Sequence, residues 1–214
     1  LNRIEKFMIG FSSYNNIVLN EVYVNGRNNE TKANIIAALD INIGHPLINI
    51  SLKKIRKELI KLDWVEHADV YLLPMGKLEI ELTEYIPFAI YIHRKDNYTL
   101  INNAGINFKE ISVNEFPNLF KLYGNDALEK VEELSSIIDQ LKAFNLNVSK
   151  IERIDSRRWD IYLKQGYVIK LPNLDVVKSI DAIHKLDNNI DYDNLLFIDL
   201  RIKDRVSLKY KQID

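Results

Sequence analysis

The chain of 214 residues is long enough for one large or two small domains, and its 47% hydrophobic content can supply a packed core. Its 29 Lys and Arg and 30 Asp and Glu residues give a formal net charge of -1, which offers no electrostatic basis for binding nucleic acid. The sequence has no cysteine, which excludes a disulfide framework, thiol catalysis and cysteine-bound metals.

The segment 1–16 precedes the first predicted strand. Leu1, Ile4, Phe7, Met8 and Phe11 recur at helical spacing, so the segment is either a helix continuing from a part removed upstream or a frayed terminus. The chain begins without Met, and we therefore expect it to be a piece of a longer protein. No run approaches the ~20 apolar residues of a membrane span, and no signal peptide is recognisable.

Residues 17–86 are predicted to fold as strand, helix, helix, strand, strand. The predicted elements are a strand over 17–26, a helix capped near Thr31 with Ile35, Ile36 and Leu39 on one side, a helix from 49–51 with Leu52, Ile55, Leu59 and Leu62 on one side, and a hairpin of 65–73 with 77–85. Two helices on one face of a three-stranded sheet would bury both apolar stripes in a compact module.

The two halves of the chain meet at Pro87. Over 78–82, apolar and acidic residues alternate strictly, which predicts a strand with one buried face. Pro87 lacks a backbone N–H donor and is poorly tolerated in a central ladder, so we expect the sheet to change there. We therefore predict one domain over 17–86 and a second over 87–214.

Residues 87–214 are predicted to be mostly β structure with flanking helices. The expected elements are strands over 88–92, 98–102 and around Phe108, an apolar turn at 116–119, a helix over 127–144, a meander of 148–155, 159–163 and 167–171, a helix over 175–186, and a terminal hairpin of 195–200 with 206–210. The fold class predicted for the whole chain is α+β, with the second sheet mostly antiparallel.

The sequence offers little support for catalysis. The four histidines, His45, His67, His93 and His184, are far apart, and none forms a zinc-spaced pair. No glycine-rich phosphate loop or Gly-x-Ser-x-Gly motif is present. Glu79 and Glu81 share one face of a strand, but this pattern is typical of an exposed polar face. We therefore predict no enzyme activity, no cofactor and no metal site.

Two short runs combine arginine, aspartate and aromatic residues in an unusual way. The run 156–160 opens a strand with Arg157 and Arg158 beside Trp159, and the run 197–201 places Asp199 and Arg201 on one side of a strand. The arginines can form salt bridges between strands, which contribute little when exposed. Alternatively, they can form a recognition surface, because arginine and aromatic residues are enriched at binding hot spots. The residues alone leave both interpretations open.

The ordered motifs resemble those of a known family. The runs 22–26, 42–47 and 64–70 resemble a POTRA module, the polypeptide-transport-associated domain. The runs that follow resemble the bacterial FtsQ/DivIB cell-division family, over 84–89, 101–105, 116–119, Gly124, 158–159, 171–172, 198–201 and 204–206. The resemblance covers roughly 18–210, and the 204–206 ending resembles the alphaproteobacterial branch.

The resemblance implies a bitopic inner-membrane protein whose transmembrane helix lies upstream, with this whole chain in the periplasm and 1–16 next to the membrane. It implies a non-enzymatic scaffold at the division septum that binds FtsB and FtsL and helps to recruit septal peptidoglycan synthesis proteins. The POTRA domain would serve recruitment. The β domain would bind FtsB, which adds a short strand to the terminal strand and sets a helix beside it.

The resemblance also implies a partner-binding site. The arginine of the family's site corresponds to Arg157 or Arg158, its Asp-Leu-Arg strand to Asp199, Leu200 and Arg201, and its terminal Trp position to Lys209 or Tyr210. The position after Arg201 is often aromatic in other branches of the family, and in this chain it is Ile202. The final strand ends the sheet and carries lysine, as edge strands often do. The predicted site comprises Arg157, Arg158, Asp199, Arg201, Ile202, Val206, Ser207, Leu208, Lys209 and Tyr210.

Two other functions compete with the division scaffold. A POTRA-containing chaperone or receptor of outer-membrane protein assembly or secretion would need tandem POTRA units or a barrel, whereas here one such unit precedes an unrelated β domain. A periplasmic enzyme would need convergent polar residues that the sequence does not show.

Overall fold

The computed structural model describes residues 5–7, 18–93, 97–112, 114–186 and 190–212. The chain divides into two compact units, Leu1–Tyr85 and Ile86–Asp214. This division falls beside Pro87. That each unit folds on its own stays a prediction.

The first unit combines a mixed sheet with two α-helices. Its elements are β1 (Glu5–Phe7), β2 (Glu21–Asn25), α1 (Lys32–Leu39), a 3-10 helix (Leu47–Asn49), α2 (Leu52–Leu59), β3 (Val65–Leu73) and β4 (Lys77–Glu84). The strand order is β1-β2-β4-β3. β2 and β4 run parallel, while β1–β2 and β3–β4 are antiparallel. The predicted order of strand, helix, helix, strand, strand is confirmed from β2 to β4.

Side-chain caps and apolar stripes explain the two helices. The Oγ1 of Thr31 accepts a hydrogen bond from the N–H of Asn34 (3.1 Å), and the Oγ of Ser51 accepts one from Lys54 (3.3 Å). The buried residues of the helices pack with those of the sheet in one core, which includes Ile35, Leu39, Ile55, Leu59, Leu78, Ile80 and Leu82. The alternation over 78–82 therefore marks a buried strand face, as predicted.

The N-terminal segment departs from the helix considered for it. Residues Glu5–Phe7 form β1, antiparallel to β2, with Glu5 opposite Val24 and Phe7 opposite Val22. The helical alternative is therefore wrong at these three positions; the rest of 1–16 lies outside the described residues. Without β1, the outer backbone groups of β2 would lack ladder partners, and this pairing supplies them.

The second unit contains a larger sheet. Its strands are β5 (Ala89–Ile92), β6 (Tyr98–Ile101), β7 (Asn107–Ile111), β8 (Lys121–Tyr123), β9 (Val148–Ile154), β10 (Arg158–Leu163), β11 (Val168–Lys170), β12 (Leu195–Asp199) and β13 (Ser207–Tyr210). Their order is β13-β12-β11-β10-β9-β8-β5-β6-β7. The pairs β5–β8, β8–β9 and β11–β12 are parallel, and the other neighbouring pairs are antiparallel. The mostly antiparallel α+β class is confirmed.

Strand β8 was not predicted. It has only three residues, follows the turn at 116–119, and lies between β5 and β9 with parallel pairing on both sides. Three residues are too few for an alternation pattern to be recognised.

The two faces of this sheet differ, because one of them packs against α3 and α4. The buried strand residues Leu122, Ile151, Trp159, Ile161, Ile169 and Ile198 share a core with residues of α3 (Val131–Ala143) and α4 (Val176–His184), including Leu134, Ile138, Leu141 and Ile180. The alternate strand positions point to the opposite face. We call this the open face; from β8 to β13 its side chains are mostly half-buried.

Among the described residues, no helix is both long enough and apolar enough to cross a membrane.

Candidate partner-binding edge

Strand β13 is the outermost strand at one edge of the large sheet. It pairs antiparallel with β12, with Asp199 opposite Ser207 and Phe197 opposite Lys209. A bulge lies in β12 between Leu195 and Phe197, so β13 itself stays regular.

The backbone hydrogen bonds around β13 fix which of its groups face outward. The N–H of Lys211 donates to the carbonyl of Asn194 (2.9 Å), so the backbone groups of Lys211 face the β12 side. Backbone groups alternate in direction along a strand, so Ser207 and Lys209 also face β12, and Leu208 and Tyr210 face outward. On the other side of β12, the N–H of Leu200 donates to the carbonyl of Lys170 in β11 (2.9 Å). The backbone groups of the preceding residue, Asp199, must then face β13, which agrees with this assignment.

Asp199 and Arg201 lie together at the end of β12, as predicted. The Nε of Arg201 donates to Oδ1 (2.9 Å) and Oδ2 (3.1 Å) of Asp199, and its Nη2 donates to Oδ2 (2.6 Å). The side-chain hydrogen bonds from Arg201 hold the pKa of Asp199 below its ordinary value, against the opposing effect of burial. Arg201 follows the strand, and its side chain is 45% exposed. The pair therefore fixes the guanidinium while leaving part of it accessible.

The remaining predicted residues of the edge differ in exposure. Ile202 is 60% exposed and Tyr210 is 39% exposed, so both side chains are accessible. Val206 and Leu208 are half-buried and pack against the core of the second unit. Leu208 therefore offers an outward backbone, while its side chain contributes to the core.

Arg157 and Arg158 lie at the start of β10, away from the last two strands of the sheet. A turn with positive φ at Asp155 (49°) and Ser156 (55°) connects β9 to β10 and leads into both arginines. Arg158 begins β10, and β11 and β12 separate it from β13, a distance of about 14 Å across the sheet. Arg158 therefore lies neither on the edge strand nor on its neighbour β12, and its place in the partner-binding site stays a prediction.

Both arginines have acidic partners in their own segment. Arg157 lies 3.3 Å from Asp155, and both side chains are about two-thirds exposed, at 68% and 66%. Arg158 donates through Nε to Oδ1 of Asp160 (3.1 Å), and Asp160 is buried. The Arg158 pair is the more constrained of the two, because the buried carboxylate of Asp160 cannot readily replace Arg158 with water as its partner.

Sequence reasoning missed the polar residues of the open face. Lys170 lies 4.1 Å from the ring centre of Phe197, and Lys150 lies 3.9 Å from that of Tyr162 and 2.8 Å from Glu152. The signal available in the sequence was the polar residue at every second position of β9 and β10, at Lys150, Glu152, Asp160 and Tyr162.

Within the part of the chain that the structure describes, no group of three or more His, Asp or Glu residues could hold a metal ion. Two of the histidines lie in different units, each beside a local polar residue. His67 lies 3.2 Å from Asp69 in the first unit, and His93 contacts Thr99 in the second. The geometry gives these two residues local polar partners.

The two units define a protein that joins a POTRA-type module to a β domain whose outermost strand, among the described residues, is β13 at one edge of the sheet. The family model for the FtsQ-type POTRA domain matches residues 18–85. The model for the C-terminal part of cell-division protein FtsQ/DivIB matches residues 89–201. The chain therefore belongs to the FtsQ/DivIB family of cell-division proteins.

Curated relatives agree with this assignment. The cell-division protein FtsQ of Rhizobium meliloti is 26% identical over 194 residues, which cover 89% of this chain and 62% of the relative. FtsQ of Rickettsia felis is 28% identical over 190 residues, 87% of this chain and 70% of the relative. FtsQ of Agrobacterium fabrum is 25% identical over 191 residues, which cover 88% of this chain and 60% of the relative. The chain thus spans about three-fifths of the first relatives' length, and the predicted alphaproteobacterial type is confirmed.

Proposed function

We propose that this chain is the periplasmic part of a non-enzymatic division scaffold, anchored in the inner membrane through a segment that is not in this sequence. In this proposal the β domain binds FtsB together with FtsL, and the POTRA module supports the recruitment of septal peptidoglycan synthesis proteins. Membership of the FtsQ/DivIB family supports a role in cell division. The competing role in outer-membrane assembly or secretion is disfavoured because the FtsQ/DivIB model covers the β domain.

The observation that carries the proposal is the outward direction of the Leu208 and Tyr210 backbone groups on the outermost strand. An extended partner segment can pair with such groups and continue the sheet, with affinity from main-chain hydrogen bonds and specificity from alternate side chains. Ile202 and Tyr210 supply exposed apolar surface beside this strand, and Arg201 supplies a fixed guanidinium that suits a carboxylate.

The opposite edge of the sheet is less suited to pairing. Strand β7 carries an irregularity in its pairing with β6, since Leu100 pairs with Lys109 and Ile101 with Asn107, which shifts the register by one residue of β7. A bulge on an edge strand bends it and interrupts its ladder, which hinders the addition of another strand. This difference favours β13 over β7 as the partner edge.

The proposal is tested by titrating the chain with the periplasmic part of FtsB. Leu208→Pro removes an outward N–H and should weaken binding at least tenfold. Leu208→Ala is the matched control, because it loses the same side chain and keeps the N–H. If the two variants bind alike while both stay folded by circular dichroism, the partner strand does not pair at β13. If the unmodified chain does not bind FtsB at all, the proposed partner is wrong.

A further inference from the structure

One end of the first unit carries apolar side chains from two segments, the 3-10 helix before α2 and the hairpin of β3 and β4. Ile48 of the first segment is 92% exposed, and Met75 of the second is 80% exposed. Both segments line one open groove, which joins them into a continuous surface. Contiguous exposed apolar surface marks a contact with another protein or with a membrane. We call this group the apolar tip; it comprises Leu47, Ile48, Leu72, Leu73 and Met75.

The backbone at Met75 has a conformation that methionine does not favour. Its φ of 65° lies in the left-handed region, where glycine and asparagine are common and a bulky side chain is an outlier. The side chain of Asn20 donates to the carbonyl of Met75 (2.7 Å), and the N–H of Asn20 donates to the carbonyl of Gly76 (2.7 Å). These bonds hold the turn in place whichever side chain stands at position 75. Folding therefore does not account for an exposed apolar side chain there.

The two runs of sequence that build this end, 41–57 and 70–78, contain no acidic residue, although Asp and Glu make up 30 of the chain's 214 residues. The runs hold five Lys and Arg residues. Three of these have acidic partners outside the runs, at distances of 3.3–3.7 Å. The other two, Lys53 and Lys57, are exposed, and neither forms an ion pair with any described residue. Positive charge is therefore in excess at this end.

The two unpaired lysines share one face of α2. Lys53 and Lys57 are four residues apart in this helix, so their like charges repel each other. The helix begins at Leu52, four residues after Ile48, which brings its first turn next to the apolar tip. An external anion beside the two lysines would relieve their repulsion. This end of the first unit thus combines projecting apolar groups with uncompensated positive charge.

We propose that this end of the first unit binds the surface of an anionic phospholipid membrane. The apolar tip enters the boundary between headgroups and acyl chains, and Lys53 and Lys57 lie at the lipid phosphates. Side chains as exposed as Ile48 and Met75 project from the protein, and a fluid lipid interface accepts such projections without a preformed cavity. The acid-free runs select an anionic surface over a neutral one. The inference goes beyond the proposed function, because the proposed contact with FtsB lies in the second unit.

The test measures co-sedimentation of the 214-residue chain with vesicles of phosphatidylglycerol mixed with phosphatidylcholine, and with vesicles of phosphatidylcholine alone. We expect binding to the mixed vesicles that weakens as the salt concentration rises, and far weaker binding to the neutral ones. The double variant Lys53→Gln, Lys57→Gln should weaken binding to the mixed vesicles about tenfold. The matched control is Lys142→Gln, Lys178→Gln, which removes the same charge from exposed positions of α3 and α4 and should bind normally.

A second variant, Met75→Asn, separates membrane binding from folding. Asparagine suits the left-handed φ better than methionine, so the variant should be at least as stable in urea and yet bind the mixed vesicles about fivefold more weakly. Leu174→Asn, at a 75% exposed position of the second unit, is the matched control.

Each result decides the inference. Equal binding of Met75→Asn and Leu174→Asn overturns it, and so does equal binding of the two lysine pairs. An unmodified chain that does not bind the mixed vesicles also overturns it, and leaves a protein as the occupant of this surface. The titration with FtsB is independent of these measurements. A chain that binds FtsB but not the vesicles refutes this inference alone, and one that binds the vesicles but not FtsB refutes only the proposed partner.

Discussion

Arg201 and Asp199 form a forked ion pair in which both Nε and Nη2 of the guanidinium donate to the carboxylate, with Nη2 to Oδ2 at 2.6 Å. The pair holds one edge of the guanidinium against the end of β12, and the rest of the group stays accessible. Arginine can bind one carboxylate with one edge and a second with the other. Asp199 therefore holds the guanidinium of Arg201 in one orientation and leaves part of it accessible.

We expect Arg201→Ala to reduce FtsB binding at least tenfold, about 1.4 kcal/mol. Arg201→Lys should not restore binding, because an ammonium group cannot reproduce the planar fork. The measurement is a calorimetric titration of each variant with the periplasmic part of FtsB. Arg205→Ala is the control, since Arg205 is an exposed arginine in the same turn. Equal effects of Arg201→Ala and Arg205→Ala would mean that only net charge matters at this edge.

The buried carboxylate of Glu84 binds backbone groups that lie far from it in sequence. Glu84 ends β4 and accepts hydrogen bonds from the backbone N–H groups of Asn28 (2.9 Å), Asn29 (2.7 Å) and Glu30 (2.9 Å). Glu84→Gln replaces one acceptor oxygen by a donor, which leaves at least one of these N–H groups without a partner. We expect a loss of about 1–3 kcal/mol in the free energy of unfolding of this unit, measured by urea denaturation. Glu81→Gln, at an exposed position of the same strand, should change stability little.

Sequence reasoning found the elements that have a long periodic pattern. The alternation of β4 and the apolar stripe of α3 each repeat over several positions, so the 2-residue and 3.6-residue periods were recognisable. Glu84 was not singled out, although Glu79 and Glu81 were. Its role depends on backbone groups at 28–30, which are distant in sequence and come together only through the parallel pairing of β2 with β4.

The candidate site was predictable in part. Asp199 and Arg201 are two residues apart, so local sequence was enough to bring them together. The position of Arg158 relative to β13 could not be predicted from local sequence. It depends on the parallel crossover that inserts β11 between β10 and β12, with α4 in the connection.

Each unit contains one of the two tryptophans, which allows the units to be observed separately. Trp64 is buried in the first unit and Trp159 in the second. We predict that residues 17–86 alone show a cooperative melt, because α1 and α2 bury their apolar stripes within that unit. In the whole chain, Trp159→Phe leaves Trp64 fluorescence to report on the first unit, and Trp64→Phe does the reverse. A fragment 17–86 that melts without cooperativity would show that the boundary near Pro87 does not separate independent domains.

Tyr167 should make the second unit sensitive to alkaline pH. Its side chain is buried, and burial, with a smaller effect from the nearby Tyr192, raises its pKa to about 12. The unfolded chain loses this proton near the ordinary tyrosine pKa of about 10. Between these two values the unfolded state is deprotonated while the folded state keeps its proton. Stability is therefore full below pH ~10 and falls as pH rises toward ~12, by up to roughly 2–3 kcal/mol from this group.

The change that tests this is Tyr167→Phe, which removes the ionisable group from the same core position. Urea unfolding at about pH 9 and about pH 11 should show a smaller loss of stability for Tyr167→Phe than for the unmodified chain. Tyr210→Phe, at a 39% exposed position of the same unit, is the control and should keep the full loss. Other groups that titrate in this range contribute equally to all three proteins, so the comparison isolates Tyr167. An equal loss in Tyr167→Phe and the unmodified chain would contradict the assignment of the alkaline sensitivity to this residue.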